Sequence, residues 1–239
     1  MDGDKQVHIG LLSSYSANRP HFDVLQSLVP QDVMLTIEGL DLRRELPREG
    51  RADEVVRRAA AMVRRTNVQG LIVPGAPLVI ANPEVETRLA AELKIPVSTA
   101  IHATTAALRS IGARKLILMT PFDDETNSRL ENLLKSRGFA VLSCPSLGYL
   151  RAMSDEPVEP EQIFRIVETT VGQTQGADTI YFQGAPFDPL PVIERIETRL
   201  GLPVVASSPA MFWHLLSLLG RKYSISGYGR LLESWPALT

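Results

Sequence analysis

The sequence predicts an α/β protein of two pseudo-symmetric halves, each a four-stranded parallel sheet flanked by helices, with the site in the cleft between them. Two observations carry this prediction. Short runs of β-branched and aliphatic residues alternate with longer segments of helical period, which is typical of βαβ units on a parallel sheet. The order of strands, turns and helices in the first half of the chain then recurs in the second half.

Eight strands are predicted, four in each half. They are placed near His8–Leu12, Val33–Glu38, Leu71–Pro74, Val97–Ala100, Lys115–Thr120, Ala140–Ser143, Thr179–Gln183 and Val204–Ser207. Amphipathic helices are expected over residues 51–66 and 123–137, with solvated charged faces. Asn82-Pro83 and Ser208-Pro209 are interpreted as helix starts, since each places a capping side chain before a proline. Gly112, Gly138 and Gly220 are expected to end helices.

The most informative feature is an internal repeat. Residues 71–77 read Leu-Ile-Val-Pro-Gly-Ala-Pro, and residues 179–186 read Thr-Ile-Tyr-Phe-Gln-Gly-Ala-Pro, so each half has a buried strand running into Gly-Ala-Pro. Later elements keep matching spacings, which chance rarely produces. We therefore expect a first half at residues 1–112, a second at 113–220, and a C-terminal segment at 221–239 that packs back on the first half.

Both Gly-Ala-Pro turns are expected to face one ligand site, because ligands bind beyond the carboxyl ends of the strands in open parallel sheets. The candidate substrate-binding residues at the turns are Gly75, Ala76, Pro77, Gly184, Ala185 and Pro186. Backbone N–H groups beside absent or small side chains could hold a carboxylate closely. The glycines could equally serve only to permit tight turns, and the sequence leaves both interpretations open.

Composition excludes several classes of function. A net charge of −2 gives no electrostatic basis for binding nucleic acid. The apolar runs are strand-sized, far short of the roughly 20 residues of a membrane span, and the polar start of the chain favours a cytoplasmic protein. A single cysteine, Cys144, argues against a disulfide framework or a multi-thiolate metal site. No metal or cofactor motif is recognised, and a homo-oligomer is left open.

Particular motifs connect the chain with a known superfamily. Ser-Ser-Pro-Ala-x-Phe-Trp at residues 207–213 is followed by Gly-Tyr-Gly-Arg-Leu at 227–231, and other matches are spread over nearly the whole chain. On these residues the chain resembles the aspartate/glutamate racemase superfamily, most closely the arylmalonate decarboxylases, and it is also similar to maleate cis-trans isomerases. The resemblance implies a cofactor-free enzyme with a reactive residue at the end of the third strand of each half.

The resemblance places the two family cysteines at Gly75 and Gly184. Racemases and maleate isomerases use one cysteine from each half, and arylmalonate decarboxylases keep the second as proton donor. Here Ala76-Pro77 also replaces a Thr-Ser pair, and Phe122 replaces a tyrosine, so each change removes a polar or titratable group. Losing one oxyanion donor commonly costs about 10²- to 10³-fold in rate, so another residue has to take over if chemistry is retained.

Two residues are the candidates for catalysis in place of the cysteines. Tyr15 follows the first strand, and a phenol can donate a proton or hold a carboxylate. His102 begins the helix after the fourth strand, where the helix N-terminus lowers its basicity. A loop tyrosine without chemical role and a structural histidine remain the alternatives. The further candidates for substrate binding are Ser13, Ser14, Asn18, Thr120, Phe122 and Asn127.

The function expected from these residues is that of a cofactor-independent enzyme acting on a small carboxylate or carbonyl substrate. The step would pass through a carbanion or enolate, with decarboxylation as the leading reaction. Alternatives are an isomerase, or a lyase or cyclase acting on a more apolar substrate, since Ala76, Pro77, Phe122 and Phe187 make the expected site apolar. A non-catalytic binder of a small acidic metabolite is the third alternative.

Overall fold

Two parallel sheets of four strands each form the framework of the protein. The computed structural model describes residues 6–13, 25–40, 49–145, 158–184 and 187–239. The strands are β1 (Val7–Ser13), β2 (Val33–Gly39), β3 (Gly70–Val73), β4 (Val97–Thr99), β5 (Lys115–Met119), β6 (Ala140–Ser143), β7 (Thr179–Phe182) and β8 (Val204–Ala206). Their orders are β2-β1-β3-β4 and β6-β5-β7-β8. The predicted α/β fold is confirmed, and each predicted strand agrees with the structure to within one residue at either end.

Helices alternate with the strands along the chain. They are α1 (Ala52–Thr66), α2 (Ala76–Ala81), α3 (Val85–Leu93), α4 (Ala100–Ser110), α5 (Asp124–Ser136), α6 (Pro160–Gln173), α7 (Ile193–Leu200), α8 (Ser207–Leu218) and α9 (Arg230–Ser234), with a 3-10 turn at Leu190–Val192 before α7. In α1, Val55, Ala59 and Met62 are buried at helical spacing, while acidic residues open the helix and basic residues close it. This arrangement complements the helix dipole and leaves one apolar face for the sheet. No helix in the described ranges is long and apolar enough to cross a membrane.

One predicted helix start is wrong, and another is displaced by one residue. Asn82 ends α2 instead of opening the next helix: its Nδ2 donates to Leu78 O at 2.8 Å, its Oδ1 accepts from Arg51 N at 2.9 Å, and α3 begins only at Val85. The physical reason is that a following proline disfavours helical backbone at the preceding residue, so Asn-Pro marks a boundary but not its direction. Ser208 lies inside the first turn of α8, which starts at Ser207.

The predicted helix ends are confirmed. Gly112, Gly138 and Gly220 have φ values of 76°, 91° and 71°, which is the left-handed backbone region that glycine adopts without steric cost.

The larger of two apolar clusters spans both halves, and in it α4 of the first half packs against α8 of the second. Gly70 permits a close approach of α8 to β3, because a Cβ at this position would lie 2.8 Å from Leu215 Cδ1. Polar contacts also cross the boundary: Arg137 Nη1 donates to Ile101 O at 3.2 Å and to Thr105 Oγ1 at 2.7 Å. The relative placement of the two sheets is therefore held by packing and by hydrogen bonds together.

The C-terminal segment 221–239 contacts both halves. Tyr223 OH donates to Asp32 Oδ2 in the first half at 3.0 Å, and Arg230 N donates to Glu197 Oε2 in the second half at 2.8 Å. Glu197 is buried and also accepts from the first residue of β8. The predicted contact with the first half is thus accompanied by one with the second, while the three-part division of the chain itself stays a prediction.

Candidate functional site

The same turn follows the third strand of each half. Gly75 after β3 has φ 108°, and Gly184 after β7 has φ 119°. In each turn the glycine carbonyl accepts a hydrogen bond from the residue three positions on, from Leu78 N at 3.0 Å and from Phe187 N at 3.1 Å. Only glycine adopts such backbone angles without strain. The turn geometry by itself accounts for both glycines, whereas their role as carboxylate donors stays a prediction.

The space beside Gly184 is already filled. A Cβ added there would lie 2.7 Å from Pro121 Cδ, 2.9 Å from Pro121 Cγ and 3.2 Å from Phe122 Cε1. The loop after β5 therefore lies directly against the turn after β7, which brings two predicted site residues, Phe122 and Gly184, into contact. A cysteine at this position could not be accommodated without moving the loop.

Thr120 and Asn127 hold this loop in place. Thr120 Oγ1 donates to Asn127 Oδ1 at 2.5 Å, Asn127 Nδ2 donates to Phe122 O at 3.2 Å, and Phe122 N donates to Thr120 Oγ1 at 3.2 Å. Both polar side chains are buried. Their observed partners are thus within the loop, and direct contact of either with a substrate stays a prediction.

His102 lies in the first turn of α4 and is exposed. Its backbone N donates to the capping Thr99 Oγ1 at 3.3 Å, and the centroid of its ring lies 4.8 Å from that of His214. His214 is buried in α8, with Nδ1 3.0 Å from Ser98 Oγ. Burial, together with the neighbouring His102, lowers the pKa of His214 to about 4, so this imidazole is neutral at neutral pH.

The other candidates from the sequence fall in two groups. Ser13 is the buried last residue of β1, and Ala76 and Pro77 form the first turn of α2, where the missing N–H of proline is tolerated. Five candidates lie outside the described residues: Ser14, Tyr15, Asn18, Ala185 and Pro186. The contact between the rings of His102 and His214 was not expected. His214 lies in a helix most of whose residues are buried, so the sequence gives no sign of which neighbour its ring meets.

Two polar side chains at the end of β7 were also not anticipated. Tyr181 OH donates to Gln183 Oε1 at 2.5 Å and lies 2.9 Å from Thr104 Oγ1 of the first half. All three side chains are buried, and burial raises the pKa of Tyr181, so its hydroxyl stays protonated. The signal available in the sequence was the period of two, which places residues 181 and 183 on one face of the strand.

Two further titratable groups lie near the ends of the strands. Burial, with Glu131 and Asp124 nearby, raises the pKa of the Cys144 thiol to about 12, which makes it a poor nucleophile. Burial also raises the pKa of Asp188 to about 6, while Leu190 N, two residues on, donates to its Oδ1 at 3.1 Å in an Asx-turn. Within the described ranges, no three His, Cys, Asp or Glu side chains are grouped as a metal site.

A family model, described as arylmalonate decarboxylase, matches residues 26–232 of the chain. The chain belongs to the arylmalonate decarboxylase family. The resemblance inferred from the sequence is thereby confirmed, and the named relatives within this group are enzymes, a decarboxylase and isomerases.

Curated relatives align with part of the chain. It is 31% identical to arylmalonate decarboxylase of Bordetella bronchiseptica over 140 residues, which are 58% of this chain and 58% of that protein. It is 24% identical to maleate isomerase of Geobacillus stearothermophilus over 139 residues, 58% of this chain and 55% of the relative. The aligned stretch thus spans little more than half the length of these relatives.

Solved structures align over nearly the whole chain. A liganded arylmalonate decarboxylase with one glycine-to-cysteine and one cysteine-to-serine substitution has a TM-score of 0.83 at 24% identity, covering 95% of this chain and 99% of the other. Maleate isomerase of Pseudomonas putida, in a cysteine-to-alanine variant with maleate, has a TM-score of 0.79 at 18% identity, covering 96% and 98%. At these identities the likeness establishes the common fold.

Within the arylmalonate decarboxylase family fold, the chemical groups at the described strand ends are mostly neutral. They comprise the backbone N–H groups of the glycine turns and the amide of Gln183, and the apolar ring of Phe122 lies beside Gly184. Neutral donors in a partly dry site can stabilise an oxyanion without a metal or a thiol. Proton transfer requires a further group, and His102 is the described candidate for it.

Proposed function

We propose that this chain is a cofactor-independent enzyme that acts on a small carboxylate or carbonyl substrate through a carbanion or enolate-like step, with decarboxylation as its main reaction. The observation that carries the proposal is the pair of matching glycine turns at Gly75 and Gly184, at the ends of the third strands, in a chain of the arylmalonate decarboxylase family. In each turn the glycine itself has no side chain next to its backbone N–H.

The reaction can be written for a substituted malonate. One carboxylate leaves as CO2 when its bond to the α-carbon breaks, and the electron pair stays on that carbon and spreads onto the remaining carboxylate. We assign the stabilisation of this developing negative charge to backbone N–H groups of the turns at Gly75 and Gly184. A proton then adds to the α-carbon and completes the reaction.

His102 and Tyr15 are the proposed proton donors. His102 is exposed at the first turn of α4, next to the carboxyl end of β4, where family sites are expected to open. Cys144 does not suit this role, because its raised pKa keeps the proton tightly bound and it lies after the edge strand β6.

Isomerisation is the second candidate function. The specific observation in its favour is the similarity to maleate isomerases in sequence and fold. Proton or nucleophile transfer to one carbon of maleate would need the same stabilisation of charge on a carboxylate. The apolar contact of Pro121 and Phe122 with Gly184 favours a substrate with an apolar group over maleate itself.

The test is turnover of phenylmalonate and maleate in D2O. We expect CO2 release from phenylmalonate and one deuterium at the α-carbon of the product, measured by NMR. His102→Ala and Tyr15→Phe should each lower the rate at least about tenfold, as for loss of a general acid. His8→Gln is the matched control, because His8 is the second residue of β1, away from the carboxyl ends of the strands, and its Nε2 lies 2.8 Å from Thr36 Oγ1.

Four outcomes would change the proposal. Unchanged rates in both variants would remove these two residues as donors. Tight binding of phenylmalonate without CO2 or label would favour a non-catalytic binder, and conversion of maleate alone would favour the isomerase. Failure to bind or convert either compound would overturn the proposed substrate class.

A further inference from the structure

The side-chain amide of Gln183 is buried but only half hydrogen-bonded. Only 2% of the residue is exposed, its backbone N donates to Met119 O at 2.9 Å, and its Oε1 accepts from Tyr181 OH at 2.5 Å. The amide nitrogen Nε2 makes no hydrogen bond within the part of the chain that the structure describes. Gln183 immediately precedes Gly184, so this unpaired donor lies at the carboxyl end of β7.

The oxygen of this amide is fixed by contacts from both halves. Tyr181 lies on the same face of the strand, and its hydroxyl is 2.9 Å from Thr104 Oγ1 on α4. Since the proton of Tyr181 goes to Gln183, Thr104 Oγ1 is the donor in this contact, and it also lies 2.7 Å from Ala100 O. The hydroxyl of Tyr181 therefore holds one end of the Gln183 amide, and the two N–H bonds of the other end are left for another partner.

A buried N–H group without a partner is rare in folded proteins, because it loses its bonds to water and gains none in return. The nearest described neighbours of the adjacent turn are the carbons of Pro121 and Phe122, which accept no hydrogen bond. An apolar side chain of similar length would fill the position of Gln183 without an unpaired donor. The retained amide thus points to an acceptor that is not part of the protein.

We propose that Gln183 Nε2 donates a hydrogen bond to a carboxylate oxygen of the ligand at the carboxyl end of β7. This inference rests on the proposed function for the class of ligand, but it assigns a binding residue to which no catalytic step is attached. A neutral amide suits this role, because it stabilises an oxyanion without introducing a buried charge of its own.

Gln183→Met tests the inference, since it keeps the chain length and removes the amide. Both hydroxyls can then turn, so that Tyr181 OH donates to Thr104 Oγ1 and Thr104 Oγ1 donates to Ala100 O, and neither is left unpaired. We expect the dissociation constant of phenylmalonate, measured by calorimetry, to rise about ten- to hundredfold, as for loss of a hydrogen bond to a charged group. The thermal midpoint of the ligand-free variant should not fall. Gln173→Met, on the exposed last turn of α6, is the matched control.

A second measurement uses the unaltered protein and covers the case in which Gln183→Met does not fold. The side-chain ¹H–¹⁵N signals of Gln183 should shift on addition of phenylmalonate, while those of Gln173 should stay in place.

The possible results separate this inference from the proposed function. Equal affinity of wild type and Gln183→Met, or unmoved Gln183 signals at saturating ligand, would overturn the inference alone. Weaker binding by the variant, with no turnover by the wild type, would support the inference and refute the proposed enzyme. No binding of phenylmalonate or maleate by the wild type would overturn both.

Discussion

Replacing Gly184 by alanine is the most direct test of how the candidate site is built. The substitution adds one Cβ at a residue whose φ is 119° and whose nearest neighbours, Pro121 Cδ and Cγ, lie 2.7 Å and 2.9 Å from the new atom. Two separate penalties follow, one from the backbone and one from packing. We expect about 1–3 kcal/mol for a side chain held in this backbone region and about 1–3 kcal/mol for the overpacking.

Two other glycines separate the penalties. Gly138 has φ 91° with nothing within 4 Å of an added Cβ, so Gly138→Ala reports the backbone strain alone. Gly172 lies in α6, also with open space around it, and its φ is not in the left-handed region. Gly172→Ala should therefore be neutral or stabilise the helix by up to about 1 kcal/mol.

The assay is urea denaturation of the three variants, together with a double-mutant cycle on Pro121 and Gly184. Pro121→Ala removes both close atoms, so the alanine at 184 should destabilise that background by about 1–3 kcal/mol less than it destabilises the wild type. The reasoning would be refuted if Gly184→Ala destabilised the protein no more than Gly138→Ala, or if the cycle gave no coupling. The same contacts imply that Gly184→Cys alone does not recreate a donor thiol, and that Pro121 has to change with it.

Three further predictions concern buried titratable groups. The pKa of His214 is about 4 in the folded state against an ordinary value of 6.5, so between these pH values the side chain takes up a proton only on unfolding. The free energy of unfolding should therefore fall by up to about 3 kcal/mol as pH drops from 6.5 to 4. His214→Gln should flatten this part of the plot of urea midpoint against pH, and an unaltered slope would contradict the lowered pKa of His214. Cys144, which is partly buried and has its pKa raised to about 12, should react with iodoacetamide at pH 8 much more slowly in native than in urea-unfolded protein, and equal rates would contradict the raised pKa. Glu197→Gln should destabilise the protein by about 1–3 kcal/mol in urea unfolding. Glu197 accepts hydrogen bonds from the backbone N–H groups of Val204 and Arg230, and in glutamine only one of the two side-chain atoms can still accept. Glu194→Gln, at an exposed position, should have little effect on the urea midpoint.

The sheets were predictable from the sequence because their signals are local. A strand such as β3 is a short apolar run with a glycine two residues after its end, and β7 repeats the pattern, so the correspondence of the two halves could be inferred without any tertiary contact. Helix starts were less secure, since Asn82 and its proline mark a boundary whose direction depends on which neighbour bonds the side chain.

The site was only partly predictable, because its contacts join distant segments. Phe122 and Gly184 were both candidates, but their direct contact depends on how the loop after β5 packs on the turn after β7. The ring of His214 meets that of His102 across the boundary between the halves, and the environment that lowers its pKa exists only after folding. Gln183 looked like the end of a strand, and its unpaired amide becomes visible only when burial and partners are known.

The two halves carry the same turn in different surroundings, and this difference bears on how a ligand could be oriented. At Gly184 the turn is covered by Pro121 and Phe122, and the buried amide of Gln183 precedes it. Gly75 is preceded instead by Pro74, which has neither a side-chain amide nor a backbone N–H. An apolar wall beside one neutral donor favours a ligand that presents an apolar group and an oxygen on the same side. Because a backbone amide or a glutamine cannot supply a proton to carbon at neutral pH, such a turn can hold developing charge but cannot complete the reaction. If the chain is catalytic, its proton donor therefore has to be a titratable side chain outside the two turns.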